Sequence, residues 1–269
     1  MAIEIKKVFS QGKEIEYFKY GEGQRILAVF PGLSVKSIML YKDVVADALK
    51  LFGEGFEVYV FDRRKNLPCS YSVEDMANDY IAAFEALGLT DVAIYGISQG
   101  GMIALTLTLM RPDLVSALVL GSTSAGISSE SGKVIKEWNL LAGARDEKGL
   151  IDSFIKHVYS PSFAEKFGPM LAESLKGITD EEFSRLVILT GRMNEYDVSA
   201  RLGEIACPAL ILYGGEDAVL GKAAAAGLSA VKGSEVHVFQ GYGHAVYDEE
   251  PRFRKMAKEF LDRTLLLNP

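Results

Sequence analysis

The chain has 269 residues, of which 49% are hydrophobic and 24% charged, values typical of one globular α/β domain or of one that carries an insertion. Its formal net charge of -7 and the lack of a basic stripe argue against nucleic acid and anionic membrane surfaces as partners. No run approaches the roughly 18 uncharged apolar residues of a membrane span. The opening MAIEIKKVFS does not resemble a signal peptide. A cytoplasmic protein is therefore expected.

The first half of the chain alternates predicted strands and helices. Two short strands, 3–9 and 14–20, flank a turn at Gln11-Gly12, and so tight a connection predicts antiparallel pairing. Apolar runs and segments of helical period then follow one another, with strands at 25–30, 56–61, 92–95 and 115–120 and helices at 41–52, 72–87 and 99–110.

This alternation stops within residues 122–201, which are helical in pattern and contain no clear buried strand. It then resumes, with strands at 209–213 and 236–239 and helices at 222–230 and 251–266. The pattern predicts the α/β fold class: a mostly parallel sheet with helices on both faces. Residues 1–121 and 202–269 would form the core domain, and residues 122–201, hereafter the insertion, an all-helical addition to it.

The segment Gly96-Ile97-Ser98-Gln99-Gly100-Gly101 joins a predicted strand to a predicted helix. A serine at such a sharp turn has its hydroxyl lifted above the sheet, and the flanking glycines avoid collisions between neighbouring backbones. The helix N-terminus behind Ser98 favours a developing negative charge. The motif alone is short, and the alternative is a helix-capping serine in a glycine-rich turn. The predicted strand and helix on either side favour a nucleophile.

A serine nucleophile requires a base, and the chain has only three histidines. His237 alternates with valines inside a predicted strand, and His157 lies among apolar positions of the insertion. His244 follows the last predicted strand, in a loop at the carboxyl edge of the sheet, where α/β active sites form. His244 is therefore the predicted base.

The base in turn requires a carboxylate that fixes its tautomer. The loop after strand 209–213 reads Gly214-Gly215-Glu216-Asp217, and the chain order Ser, Asp, His is that of α/β hydrolases. Asp217 is the predicted acid. Glu216 in the same loop is the alternative, and either carboxylate could also be a solvated turn residue.

Over essentially its whole length the sequence resembles the α/β-hydrolase superfamily. The resemblance is carried by residues 96–101, 214–217 and 241–244 and by the position of the insertion, which is similar to the family's helical cap. It implies that the backbone N–H groups of Leu33 and Gln99 form an oxyanion hole. Two positions depart from the family pattern: Pro31 stands where histidine is usual, and Lys65 replaces the glycine of an Asp-x-Arg-Gly turn.

These residues predict a serine hydrolase that cleaves a small, mostly apolar, ester-like substrate through an acyl-enzyme. An enol-lactonase or carbon–carbon bond hydrolase of the same fold is the first alternative, and a ligand-binding receptor with little turnover is the second. Neither a metal nor an organic cofactor is implied, because the sequence shows no metal-ligand cluster and residues 96–101 lack the ending of a phosphate loop. Cys69 and Cys207 are expected to be reduced thiols.

The insertion is rich in large apolar side chains, and two interpretations remain open. Apolar periodicity usually marks a core, so these groups could pack only against one another. Alternatively, some of them cover the pocket over Ser98 and set the acyl-chain preference. The residues concerned are Trp138, Phe154, Phe163, Met170 and Met193.

Overall fold

A computed structural model describes residues 3–221 and 224–266 and contains one eight-stranded sheet in the order β1-β2-β4-β3-β5-β6-β7-β8. The first two strands pair antiparallel, β2 is antiparallel to β4, and the other neighbours are parallel. The strands are β1 Ile5–Ser10, β2 Lys13–Tyr20, β3 Arg25–Phe30, β4 Phe56–Phe61, β5 Val92–Ile97, β6 Val115–Gly121, β7 Ala209–Gly214 and β8 Glu235–Phe239.

Ten α-helices occur in the described part of the chain, and four of them, α4 to α7, belong to the insertion between β6 and β7. The helices are α1 Lys42–Ala48, α2 Val73–Leu87, α3 Gln99–Met110, α4 Ser129–Gly143, α5 Glu147–Val158, α6 Pro161–Leu175, α7 Asp180–Gly191, α8 Ala224–Leu228, α9 Val246–Glu249 and α10 Pro251–Leu261. None of the helices in the described residues is long and apolar enough to cross a membrane.

The predicted α/β class is confirmed, and its physical basis is the burial of the central strands. Every residue of β5 and of β7 is buried, as expected of parallel strands covered by helices on both faces. Two large clusters of buried side chains lie against the sheet; Phe30 and Phe61 belong to one cluster, and Val29 and Val60 to the other. Alternate residues of the same strand thus enter opposite cores.

The strand order places a topological switch point beside β3. The chain passes from β3 to β4 on one side and then to β5 on the other, with Phe30 paired with Gly96. Ligands of open α/β sheets bind outside the carboxyl ends of the strands at such a point. The segments directly after β3 and β5, which contain Leu33 and Ser98, therefore meet at the favoured position for a site.

Three predicted helices differ from the structure at their ends. The helix predicted at 41–52 is α1 alone, with 3₁₀ turns at Ile38–Tyr41 and Lys50–Gly53; the second turn places Phe52 in the core with no exposed surface. The final helix ends at Leu261 and widens into a π-type turn at Asp262–Leu266. Of the helix predicted at 222–230, residues 224–228 are helical, and 222–223 lie outside the described residues. Neither Cys69 nor Cys207 is part of a disulfide bond in the structure.

Candidate active site

Ser98 lies at the turn between β5 and α3, as its sequence context predicts. Its backbone has φ 51° and ψ -120°, which is uncommon for a residue other than glycine. Such a conformation costs about 1–3 kcal/mol and persists only where the surrounding structure holds it. Two hydrogen bonds hold it here: the Ser98 N–H donates to the Gly121 carbonyl at 2.9 Å, and the Thr123 hydroxyl donates to the Ser98 carbonyl at 2.7 Å. Both partners lie at the end of β6, so the neighbouring strand fixes the turn.

The glycines on either side of Ser98 permit this turn, for the reason given by the sequence. A Cβ on Gly96 would lie 2.8 Å from the Gly100 carbonyl oxygen, and a Cβ on Gly100 would lie 2.0 Å from the carbonyl oxygen of Phe30. Such contacts are shorter than van der Waals packing allows. Strand β3 and helix α3 can therefore approach closely only because these positions lack side chains.

The structure brings Ser98, His244 and Asp217 into one continuous hydrogen-bonded chain. The His244 Nε2 atom is 2.9 Å from Ser98 Oγ, and Nδ1 is 2.8 Å from Asp217 Oδ2. An ionised carboxylate can only accept, so Nδ1 carries the proton and Nε2 is free to accept the serine hydroxyl proton. All three residues are at most 9% exposed, and their contacts are therefore shielded from water.

Asp217 is held from the side opposite His244. Its Oδ1 atom accepts hydrogen bonds from the backbone N–H groups of Val219 and Leu220 at 2.8 and 2.9 Å. These two bonds fix the orientation of the carboxylate and leave Oδ2 facing the imidazole. Burial, together with the negative charge of Asp217, raises the pKa of the Tyr213 phenol, which stays neutral beside the carboxylate.

One predicted oxyanion donor, Gln99, directly follows Ser98 in the chain, and the other, Leu33, belongs to the loop after β3. Gln99 is the first residue of α3, so its N–H is among the amides that a helix leaves without an internal partner. Leu33 lines the same cavity as Ser98 and His244. A Cβ on the neighbouring Gly32 would lie 3.3 Å from Ser98 Cβ, which shows how closely the loop after β3 passes Ser98.

A cavity of about 220 Å³ opens onto Ser98 and His244, and its walls come from both the core and the insertion. Among the described residues that line it, Lys36 has the one permanent charge, and its Nζ donates to the Lys176 carbonyl at 2.7 Å. Burial raises the pKa of Tyr247, which also lines the cavity and packs its ring edge-on to His244. The apolar wall is formed mainly by Leu33, Trp138, Phe154, Ile155, Val158 and Leu175.

The large apolar side chains of the insertion divide between the two interpretations. Trp138 and Phe154 line the cavity, with stacked rings 4.2 Å apart, whereas Met193 is buried away from the cavity and Met170 is 63% exposed. Phe163 stacks on Tyr159 and does not line the cavity. Sequence periodicity cannot separate these cases, because all five positions carry large apolar side chains.

The alternative residues considered from the sequence lie elsewhere. His237 is half-buried on β8 beside Phe239, and His157 Nδ1 is bonded to the carbonyl oxygen of Ser153 in α5. Glu216 is exposed, while the Asp217 side chain is buried. Among residues 3–221 and 224–266, no group of three His, Cys, Asp or Glu side chains is arranged to hold a metal ion.

A buried polar network behind the site is not predicted by the sequence. Arg63 is only 4% exposed. Its guanidinium donates to the Pro31 carbonyl and to the Gln99 side chain, both at 2.9 Å. Next to it, Asp62 forms an ion pair with Arg185 of α7 at 2.7 Å. The available sequence signal is the charged pair Asp62-Arg63 directly after a buried strand, at the edge of the sheet where the site forms.

The fold and this constellation define a hydrolase of the α/β class, and comparison with known families agrees. The model of the Alpha/beta hydrolase family matches residues 30–254. The chain belongs to this family and is an enzyme of the hydrolase class.

Relatives with described activities cover much of the chain. The "Putative carbamate hydrolase RutD" of Klebsiella pneumoniae (strain 342) is 29% identical over 182 residues, which are 66% of this chain and 68% of the relative. The 2-hydroxy-6-oxononadienedioate/2-hydroxy-6-oxononatrienedioate hydrolase 1 of Dechloromonas aromatica (strain RCB) is 26% identical over 228 residues, 78% of each chain. Among solved structures, the enol-lactonase of Burkholderia xenovorans LB400 has a TM-score of 0.82 at 18% identity and covers 95% of this chain and 99% of its own.

Proposed function

We propose that the chain is a serine hydrolase that cleaves small, mostly apolar, ester-like substrates through an acyl-enzyme. The observation that carries this proposal is the hydrogen-bonded chain from Asp217 through His244 to Ser98, which ends in a cavity large enough for a small ligand. Such a chain is what a serine hydroxyl needs in order to become a nucleophile near neutral pH.

In the first half of the reaction Ser98 Oγ attacks the substrate carbonyl carbon while its proton passes to His244 Nε2. Asp217 stabilises the imidazolium that results. The electron pair of the carbonyl bond moves onto oxygen, which the N–H groups of Leu33 and Gln99 would bind, assisted by the N-terminus of α3. Collapse of this intermediate expels the alcohol, which takes the proton from His244, and leaves Ser98 acylated.

In the second half, water replaces the alcohol. His244 accepts a proton from the attacking water, the acyl–Oγ bond breaks, and the proton returns to Ser98. The products are one carboxylic acid and one alcohol for each ester and water consumed. The first and the last proton transfers are between Nε2 and Oγ, which are 2.9 Å apart in the resting structure.

The size and lining of the cavity support a small substrate. At about 220 Å³ it is below the roughly 300–1,000 Å³ of pockets that hold drug-sized ligands. Helices α4, α5 and α6 contribute Trp138, Phe154 and Leu175 to its wall, and the insertion is proposed to act as a cap that excludes water from the acyl group. Each methylene buried there contributes about 0.8 kcal/mol, so chain length should affect the specificity constant.

Labelling with a fluorophosphonate tests the proposal, because phosphonylation of a serine needs both the base and the oxyanion donors. We expect one equivalent of label at Ser98 in the wild-type protein and almost none in Ser98→Ala or His244→Ala. His237→Ala is the matched control, since this histidine lies on β8, and it should label normally. A folded wild-type protein that takes no label would refute the proposal, and label with a single slow turnover would indicate a ligand-binding protein.

A second candidate reaction is cleavage of an enol-lactone or a carbon–carbon bond in a substrate that carries a carboxylate. The observation in its favour is Lys36, which lines a cavity with no acidic side chain among its described lining residues. Relatives named for a dienedioate and a carbamate show which other carbonyl compounds belong in the assay. A panel of esters, thioesters, lactones and carbamates, each with and without a terminal carboxylate, separates the candidates by kcat/KM.

A further inference from the structure

Arg63 has an unusual environment for an arginine: its guanidinium is buried, and its hydrogen bonds go to neutral oxygens. Nη1 donates to the Tyr80 hydroxyl at 2.8 Å, and Nη2 donates to the Pro31 carbonyl and the Gln99 Oε1, both at 2.9 Å. No acidic side chain accepts from this guanidinium among the described residues. A buried charge of this kind is costly, and stability alone gives a weak reason to keep it.

The two acceptors of Nη2 belong to the two segments that carry the proposed oxyanion donors. Pro31 stands two residues before Leu33 in the loop after β3, and Gln99 is itself the second donor residue. These segments are far apart in sequence, and Arg63 is separated from them by 32 and 36 positions. One nitrogen atom therefore links the two segments.

The Gln99 side chain is fixed at its other end by the insertion. Its Nε2 donates to the carbonyl of Leu189 at 3.0 Å, one of the last four carbonyls of α7, which a helix leaves without internal partners. Arg185, four residues earlier on the same face of α7, pairs with Asp62 at 2.7 Å. Helix α7 is thus joined both to Gln99 and to the residue next to Arg63.

We propose that Arg63 is a positioning residue for the oxyanion hole: by bridging Pro31 and Gln99 it holds the backbone N–H groups of Leu33 and Gln99 at the separation the transition state requires. This inference rests on the proposed serine hydrolase function. Arg63 is not among the described residues that line the cavity. Its effect is on the transition state, because oxyanion donors bind the charged intermediate more strongly than the ground-state carbonyl.

The effect should appear in kcat and much less in KM. Arg63→Met should lower kcat about 10- to 100-fold, the loss expected when catalytic groups are displaced by about 1 Å, with KM changed less than about threefold. Arg63→Lys keeps the charge but cannot present a planar fork to two acceptors, and should lose about tenfold. Gln99→Met keeps its backbone N–H while losing both side-chain bonds. Its loss should combine with that of Arg63→Met to less than the product of the two, because the variants remove the same hydrogen bond.

A trifluoromethyl ketone supplies a readout that a structural role alone would not change. Ser98 Oγ adds to its carbonyl carbon, the proton passes to His244, and the carbonyl electron pair becomes an oxyanion in the hole. Its inhibition constant should rise in proportion to the loss of kcat/KM across the Arg63 and Gln99 variants. Arg64→Met is the matched control: Arg64 stands next in the chain and bonds to the Asn66 carbonyl, outside the site.

The outcomes separate this inference from the proposed function. The endpoint of fluorophosphonate labelling counts folded, competent molecules in each variant, and its rate reports on the oxyanion hole. Slower labelling to a full endpoint in Arg63→Met and Arg63→Lys, with an unchanged Arg64→Met, supports the positioning role. A reduced endpoint with normal kcat per labelled site would overturn it and leave Arg63 a structural residue. Absence of label in the wild-type protein would overturn both proposals.

Discussion

Replacement of Asp217 by Asn tests whether the Asp217 carboxylate fixes the tautomer of His244. Oδ1 of Asp217 accepts two backbone N–H groups, from Val219 and Leu220, while Oδ2 faces His244 Nδ1 at 2.8 Å. In the variant the amide oxygen stays with the two N–H donors, since turning the amide round would lose two hydrogen bonds worth about 1 kcal/mol each and oppose donors to donors. The amide NH₂ then faces Nδ1.

Because Nδ1 then faces a donor, the imidazole carries its proton on Nε2. In this tautomer Nε2 can no longer accept the proton of Ser98. In serine proteases the corresponding replacement of the buried aspartate by asparagine lowers kcat by about 10⁴ for this reason. A factor of that size corresponds to about 5.4 kcal/mol of transition-state stabilisation, at 1.36 kcal/mol per factor of ten.

We expect a loss of this order in the steady-state hydrolysis of a short-chain ester, with an unchanged circular dichroism spectrum. Glu216→Gln removes a neighbouring exposed carboxylate and should change kcat less than about threefold, in line with ordinary surface substitutions. A large loss in Glu216→Gln combined with near-normal activity in Asp217→Asn would refute the assignment of the acid.

Two further predictions concern the cavity and acid stability. Phe154→Ala removes a ring that lines the cavity and stacks on Trp138, so kcat/KM for long acyl esters should rise relative to short ones; an equal loss at every chain length would mean that Phe154 serves packing alone. Hydrogen bonds from the side chain and backbone of Arg252 lower the pKa of Glu250 to about 2, below its unfolded value of about 4.3. The stabilisation is therefore complete above that unfolded value and is lost as the pH falls toward 2. The free energy of unfolding by urea should differ between wild type and Glu250→Gln at pH 6, and the difference should shrink by pH 3; a constant difference would contradict the ionic origin.

The elements that the sequence predicts well are those whose own residues show that they are buried, such as continuous apolar runs. Strands β3 and β4 are continuous apolar runs, and both have the bounds that the sequence predicts. The helix predicted at 41–52 fails at its C-terminal end, because Leu49 leaves helical geometry at φ -105° and ψ 10° and the chain turns to bury Phe52. Apolar periodicity predicts that Phe52 is buried. It does not predict the backbone conformation, because the residues that bury Phe52 come from other parts of the chain.

The same distinction applies to the site. Ser98, Asp217 and His244 can be proposed from sequence because each stands in a loop whose position at the carboxyl edge follows from the strand before it. The bonds of Arg63 cannot, since they depend on the approach of three segments and on the orientation of a long side chain. An arginine after a buried strand is equally compatible with a solvated turn, and its burial becomes visible only in three dimensions.

The structure separates the residues that would perform the chemistry from those that would select the substrate. The constellation lies on loops of the sheet, whereas much of the apolar cavity wall comes from α4, α5 and α6 of the insertion, including Trp138 and Phe154. A change in these helices can reshape the cavity without moving Ser98 or His244, whose positions are fixed by β5, β6 and the loop after β8. Substitutions in the insertion are therefore expected to change which substrates are cleaved, whereas substitutions at the turn after β5 are expected to lower the rate for all of them.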